Sequence, residues 1–143
     1  MRVSGSCHCG AISIEAEVDE AQVAICHCTD CQVLSGSPFR TVAITSSDSM
    51  VVRGEPKTYV KVAESGRRRA QCFCRDCGTP LYAADAESAG GLVTLRTGFL
   101  AQRAKLVPRM QIWRCSAESW VDDLSRIPGH DRQRPLDVLR VDD

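Results

Sequence analysis

Closely spaced cysteines constrain this chain more than any other feature of its sequence. Cys7 and Cys9 form a Cys-x-Cys pair, and the segments 26–31 (CHCTDC) and 72–77 (CFCRDC) each carry a Cys-x-Cys-x-x-Cys spacing. The thiols of a Cys-x-Cys pair in an extended strand point to the same side, because side chains alternate along a strand. Those of a Cys-x-x-Cys pair on a tight turn converge, so each cluster supplies half or more of a metal site.

The cellular compartment decides how nine cysteines should be interpreted. The segment 1–10 (MRVSGSCHCG) lacks the apolar core and cleavage site of a signal peptide, and no apolar run has the length needed to span a bilayer. We therefore expect a cytoplasmic protein, in which thiols stay reduced. The odd count and the short spacings then favour metal binding over disulfides, and only Cys115 fits a buried cysteine that acts as a small hydrophobic residue.

Length and charge limit the number of domains and the kinds of partner. A chain of 143 residues is expected to form one domain, spanning residues 1–143. Lys plus Arg and Asp plus Glu both total 18, so the charge balance gives no support for nucleic acid or an acidic membrane as a partner. We expect neither partner, and the sequence leaves the oligomeric state open.

Hydrophobic alternation predicts a mostly-β fold with short helical segments. Ile12, Ile14, Ala16 and Val18 would lie on one face of a strand. Further predicted strands are Ala21–Cys26, Phe39–Ile44, Met50–Arg53, Thr58–Ala63, Leu92–Thr97 and Arg109–Trp113. Short helical pieces are predicted at Asp30–Ser35 and Ala117–Leu124. Since only 5% of the residues are aromatic, metal sites would help to hold such a thin core together.

Counting ligands suggests two metal sites of different kinds. A closed four-thiolate shell is typical of structural zinc, and it could be formed by Cys7, Cys9, Cys74 and Cys77. A triplet then remains, which is typical of a catalytic zinc with one open position: Cys26, Cys28 and Cys31.

The cysteine spacing leaves other partitions open. Cys7 and Cys9 could equally close with two thiols of the triplet, and Cys72 could complete the second site and shut it. His8 and His27 each lie between two candidate ligands, where an extended strand would turn their side chains away from the sulfurs. Near the mouth of an open site, His27 would suit proton transfer. The run Arg67–Arg69 could bind substrate carboxylates, although such a run is more often a solvated turn.

Four segments together resemble one known family. They are 5–18 (GSCHCGAISIEAEV), 26–39 (CHCTDCQVLSGSPF), 72–82 (CFCRDCGTPLY) and 107–120 (VPRMQIWRCSAESW). They are similar to the glutathione-dependent formaldehyde-activating enzymes, the GFA or CENP-V/GFA domain family. The resemblance covers nearly the whole chain. It implies an Mss4-like fold, a twisted β-sheet arrangement with short helical segments and two zinc ions.

The resemblance also implies a ligand partition and a reaction. By similarity, Cys7, Cys9, Cys74 and Cys77 would bind a structural zinc, and Cys26, Cys28 and Cys31 would bind a catalytic one. Members join glutathione to formaldehyde and are classed as carbon–sulfur lyases after the reverse reaction. Cys72 and Cys115 lie outside the implied ligand set, and Gln111 stands where many relatives have histidine.

Two functions follow as expectations. The first is a zinc-dependent lyase that adds a small thiol such as glutathione to a small aldehyde such as formaldehyde, or catalyses the reverse. Three thiolates already donate charge to the metal, so activation of the substrate thiol is favoured over polarisation of the aldehyde. The alternative is a non-catalytic zinc-binding module that contacts a protein partner through a β surface.

Overall fold

The computed structural model describes residues 1–88 and 90–133, so positions 89 and 134–143 of the predicted domain lie outside the described residues. Its strands are β1 (Arg2–Ser6), β2 (Ser13–Glu17), β3 (Val23–Cys26), β4 (Arg40–Ser46), β5 (Met50–Arg53), β6 (Lys57–Val62), β7 (Arg68–Phe73), β8 (Pro80–Asp85), β9 (Leu92–Arg96) and β10 (Met110–Ile112). One α-helix, α1 (Thr29–Ser35), is joined by short 3-10 helices at Glu20–Gln22, Ser47–Ser49, Arg114–Ser116 and Ser119–Arg126. The predicted mostly-β class with short helical segments is confirmed.

The strands form two sheets. The smaller sheet has the order β1-β2-β5, and the larger has the order β10-β3-β4-β9-β8-β7-β6. Every pairing is antiparallel except that of β10 with β3. In the described part of the chain, no helix has the length and apolar character needed to cross a membrane.

The core joins the inner faces of both sheets, as the alternation of apolar residues predicts. The smaller sheet contributes Val3 and Ile14, and the larger contributes Val23, Ala43 and Leu95, all buried in one cluster. Burying such aliphatic side chains contributes about 1.5–3 kcal/mol each, before the entropy lost on ordering the chain is counted.

Strand register assigns the outer face of the larger sheet a different set of side chains. Cys26 on β3 pairs directly with Arg40 on β4, and Arg96 on β9 pairs with Val42, two residues beyond Arg40. Directly paired residues share a face, as do residues two apart in one strand. Cys26, Arg40 and Arg96 therefore lie on the same side of the sheet. Cys72 pairs with Tyr82, which pairs with Leu95 of the core, so Cys72 lies on the opposite side.

Three strands were missed by the sequence analysis: Arg2–Ser6, Arg68–Phe73 and Pro80–Asp85. The second of these begins within an arginine run that resembles a solvated turn. It is extended because its backbone pairs on both sides, with β6 and with β8. Long-range pairing of this kind overrides the local polarity of a segment.

Two predicted elements have different bounds or geometry. The segment Ala21–Cys26 starts in a 3-10 turn at Glu20–Gln22, which Asp19 caps by accepting a hydrogen bond from the Ala21 backbone N–H, and the strand begins only at Val23. The helical piece predicted at Ala117–Leu124 is a 3-10 helix over Ser119–Arg126, interrupted by non-helical backbone at Asp123.

Candidate metal centre

The first cysteine cluster lies between the two sheets. Cys7 and Cys9 directly follow β1 of the smaller sheet, and Cys74 and Cys77 directly follow β7 of the larger one. The four sulfurs all lie within 4.8 Å of one another. Cys9 Sγ is 3.6 Å from Cys7 Sγ and 3.7 Å from Cys74 Sγ. A tetrahedral zinc with Zn–S near 2.3 Å separates its sulfurs by about 3.8 Å, so this donor set fits zinc.

Tight turns bring these sulfurs together. Gly78 has a φ of 72°, a left-handed conformation that favours glycine, and its N–H donates to the Cys74 carbonyl at 2.9 Å. The backbone N–H of Ile12 donates to Cys7 Sγ at 3.2 Å. The Thr79 hydroxyl lies 3.1 Å from Cys77 Sγ and lowers the pKa of that thiol to about 5. Both contacts stabilise thiolates, the form in which cysteine binds metal.

The second cluster forms at the junction of β3 and α1. Cys26 ends the strand, Cys28 is the residue that caps the helix, and Cys31 lies in its first turn. Their sulfurs lie within 4.8 Å of one another, and the Cys31 backbone N–H donates to Cys28 Sγ at 3.3 Å. Among residues 1–88 and 90–133, no further Cys, His, Asp or Glu ligand atom joins this group.

The three thiols hold a shared negative charge in the metal-free protein. The Cys31 thiol donates a hydrogen bond to the Cys26 sulfur, which lowers the pKa of Cys26 to about 5 against the opposing effect of burial. The same contact raises the pKa of Cys31, because that thiol retains the shared proton. A divalent cation would supply the positive charge that the remaining thiols need in order to ionise.

Two buried arginines lie beside this cluster, and the sequence analysis missed both. Arg40 is 7% exposed and Arg96 is 8% exposed. Burial lowers the pKa of each guanidinium, that of Arg96 to about 10, while the charge of the neighbouring thiolates opposes the shift. Arg96 donates to Gln71 Oε1 at 2.8 Å, whereas Arg40 Nη2 is buried without a hydrogen-bond partner among the described residues. Arginines where strand alternation places buried residues were the available signal.

A cavity of about 610 Å³ opens beside these arginines. Its walls include Ser6, His8, Phe39, Arg40, Arg96 and Arg103. The three cysteines themselves do not line it. The arginines connect the cavity with the second cluster, because they form part of the wall and also interact electrostatically with the thiols. The volume lies within the roughly 300–1,000 Å³ range of small-molecule sites.

The two histidines of the Cys-His-Cys runs have different surroundings. His8 is exposed and lines the cavity. His27 is fully buried, so it does not lie at the mouth of a site. Gln111 Oε1 lies 2.8 Å from His27 Nε2 and also accepts from Arg114 at 3.2 Å, so the Nε2–H of His27 is the donor.

The remaining candidate residues lie away from both clusters. Cys72 contacts Thr58 Oγ1 at 3.6 Å on the core face of the sheet. Cys115 is exposed, so its interpretation as a buried hydrophobic residue was wrong. Arg67 pairs with Asp85 at 2.8 Å at the start of β7.

Known proteins resemble this chain in sequence and in fold. The family model described as glutathione-dependent formaldehyde-activating enzyme matches residues 2–116. A Schizosaccharomyces pombe protein, named as an uncharacterized lyase, is 35% identical over 78 residues, and the match spans 54% of this chain and 54% of that protein. A Rhodobacter sphaeroides protein of known crystal structure shares the fold, with a TM-score of 0.58 at 21% identity. That match covers 76% of this chain and 98% of the other.

Proposed function

Because the chain belongs to the glutathione-dependent formaldehyde-activating enzyme family, we propose that it is a zinc-dependent carbon–sulfur lyase. In this proposal it adds a small thiol such as glutathione to a small aldehyde such as formaldehyde, or catalyses the reverse cleavage. The lyase name of the yeast relative agrees with this reaction class.

The observation that carries the proposal is the inequality of the two cysteine clusters. Four sulfurs converge between the sheets, and three converge at the start of α1. In the proposal the first set holds a structural zinc: Cys7, Cys9, Cys74 and Cys77. The second set holds a catalytic zinc with room for one more ligand: Cys26, Cys28 and Cys31. Cys28 and Cys31 are only partly buried, which leaves access for a substrate.

The chemistry requires a thiolate and an electrophilic carbonyl. Zinc bound by the second cluster would supply positive charge that favours the thiolate of the substrate near neutral pH. The sulfur lone pair then forms the new S–C bond while the C=O π pair moves to oxygen. That oxygen takes up a proton from water or a nearby acid, and the thiol has lost one, so the addition is balanced.

The side chains of the protein hold this arrangement in place. The end of β3 and the first turn of α1 fix the three sulfurs, and Arg40 and Arg96 offset their negative charge from the neighbouring strands. Since the wall residues come from several strands of one sheet, the site is preorganised rather than assembled on binding.

Two measurements test the proposal together. Metal analysis of the purified protein should give two zinc ions per chain, falling to about one in Cys26→Ser while circular dichroism stays unchanged. The exchange between glutathione and S-hydroxymethylglutathione should exceed the spontaneous background in the wild type and return to background in Cys26→Ser. Cys115→Ser, which removes an exposed thiol outside both clusters, is the matched control and should keep two zincs and full activity.

Other outcomes would point to the alternative function. If the protein held two zincs and no thiol–aldehyde pair reacted faster than its background, the lyase proposal would be wrong. The non-catalytic zinc-binding interaction module would then be the better account. A zinc content of one in the wild type would remove the catalytic site altogether.

A further inference from the structure

The cavity beside the second cluster has an unusual electrostatic character. Three of its wall residues are arginines, Arg40, Arg96 and Arg103, and none of the described residues that line it is acidic. Arg40 and Arg96 are more than nine-tenths buried and close enough for their charges to repel each other. Burying like charges together costs free energy unless an anion compensates them.

The unpartnered guanidinium nitrogen adds a second, independent observation. Arg40 Nη2 is buried and lacks a hydrogen-bond partner in the described part of the chain, although Arg40 forms part of the cavity wall. Arg96, on the next strand, has its Nη2 donating to Gln71. A buried donor without a partner costs about 1–3 kcal/mol, so a ligand acceptor at this point would recover that free energy.

The charge count identifies the class of ligand. Three thiolates around a zinc ion would leave one negative charge, and the three cavity arginines bring three positive charges. Two positive charges remain, which a thiolate and one carboxylate would neutralise. Arginine suits a carboxylate in particular, because its planar fork matches the two carboxylate oxygens.

We propose that Arg40 and Arg96 hold a carboxylate of the thiol substrate in this cavity, so that the protein selects thiols carrying a carboxylate. Taking the ligand to be the thiol of that reaction depends on the proposed function. The run Arg67–Arg69, which the sequence suggested for this role, is a weaker candidate, since Arg67 already pairs with Asp85 outside this cavity.

A charge series of thiols tests the selection in the wild-type protein. We expect kcat/KM with formaldehyde, corrected for the spontaneous rate, to be roughly 10- to 100-fold higher for 3-mercaptopropionate than for 2-mercaptoethanol or cysteamine. Glutathione should likewise be preferred over its glycyl ethyl ester. Equal values across the charge series would overturn the proposal without the need for any variant.

Variants then assign the selection to particular residues. In Arg40→Gln the preference for 3-mercaptopropionate should fall by roughly 10-fold or more through KM, with the rate for 2-mercaptoethanol unchanged within about twofold. Arg40→Lys, which keeps the charge and loses the fork, should restore part of the preference. Arg67→Gln is the control of matched chemistry and should behave as wild type. An equal loss for all thiols in Arg40→Gln would show that Arg40 only balances the cysteine charge.

A binding measurement separates this proposal from the proposed function. Calorimetry on the zinc-loaded protein should show S-methylglutathione, which cannot form a thiolate, binding about 10-fold more weakly to Arg40→Gln than to the wild type. If that difference is found and no thiol–aldehyde pair reacts, the lyase function fails and the carboxylate site stands. If catalysis is found and S-methylglutathione binds both proteins equally, the lyase function stands and the carboxylate site fails.

Discussion

Gly5 shows how tightly one residue can constrain the packing of this fold. It lies on β1 opposite Leu100, with which it forms an isolated β-bridge. A Cβ atom at this position would lie 2.5 Å from the Phe99 carbonyl oxygen and 2.9 Å from Leu100 Cα. Both atoms belong to the backbone, so a side chain could be accommodated only by moving one segment away from the other.

Gly5→Ala should therefore destabilise the protein by about 1–3 kcal/mol, the usual cost of overpacking. Urea denaturation followed by fluorescence would measure the change in the free energy of unfolding. Gly98→Ala is the matched control, because a Cβ there has no neighbour within 4 Å. A loss of equal size in both variants would contradict the steric explanation.

Among the elements, the smaller sheet depends on one carboxylate that links all three strands. Glu15 on β2 accepts hydrogen bonds from Arg2 on β1 and Arg53 on β5, each at 2.6 Å. The two guanidinium groups lower the pKa of Glu15 below its ordinary value of 4.5. The pairs are partly exposed and screened by solvent, so their contribution is modest.

This contribution should depend on pH in a defined direction. A carboxylate whose pKa is lower in the folded state stabilises the protein fully above its unfolded pKa, and the stabilisation is lost as the pH falls through the folded value. Glu15→Gln should thus be less stable than the wild type near pH 7, and the difference should shrink below about pH 4.5. Glu55→Gln, in the turn after β5, is the charge-matched control. A difference that stays constant down to about pH 2 would refute the assignment.

For the whole molecule, the first cysteine cluster is the connection between the two sheets. Its four thiols come from the chain directly after β1 and directly after β7, which belong to different sheets. The second cluster involves only β3 and α1, which are neighbours in sequence. In a chain with 5% aromatic residues, a metal ion across the sheet interface would add stability that the core alone supplies weakly.

Cys9→Ser should consequently lower the free energy of unfolding by about 4 kcal/mol or more, since the loss of a structural metal is among the most costly changes. Cys115→Ser replaces another exposed cysteine and should change it by less than about 0.5 kcal/mol. Treatment with a strong chelator should lower the melting temperature of the wild type and Cys115→Ser, and have less effect on Cys9→Ser. Equal melting temperatures for all three proteins would exclude a zinc that joins the sheets.

The fold class could be predicted because strand alternation is a local property. The face Ile12, Ile14, Ala16 and Val18 is buried as predicted. The strand at Arg68–Phe73 could not be predicted, because its polar residues are extended through pairing with both neighbours. Local sequence carries periodicity, but it does not carry the identity of a distant strand partner.

The candidate site divides in the same way. Cysteine spacing alone determined which sulfurs can converge within one turn, as at Cys26–Cys31 and Cys74–Cys77, since those distances are set by a few backbone dihedrals. Only the tertiary structure decided that Cys7 and Cys9 meet the second of these pairs, and that Cys72 faces the core. It also placed Arg40 and Arg96 beside Cys26. These are matters of strand order and register, which depend on contacts between residues far apart in the chain.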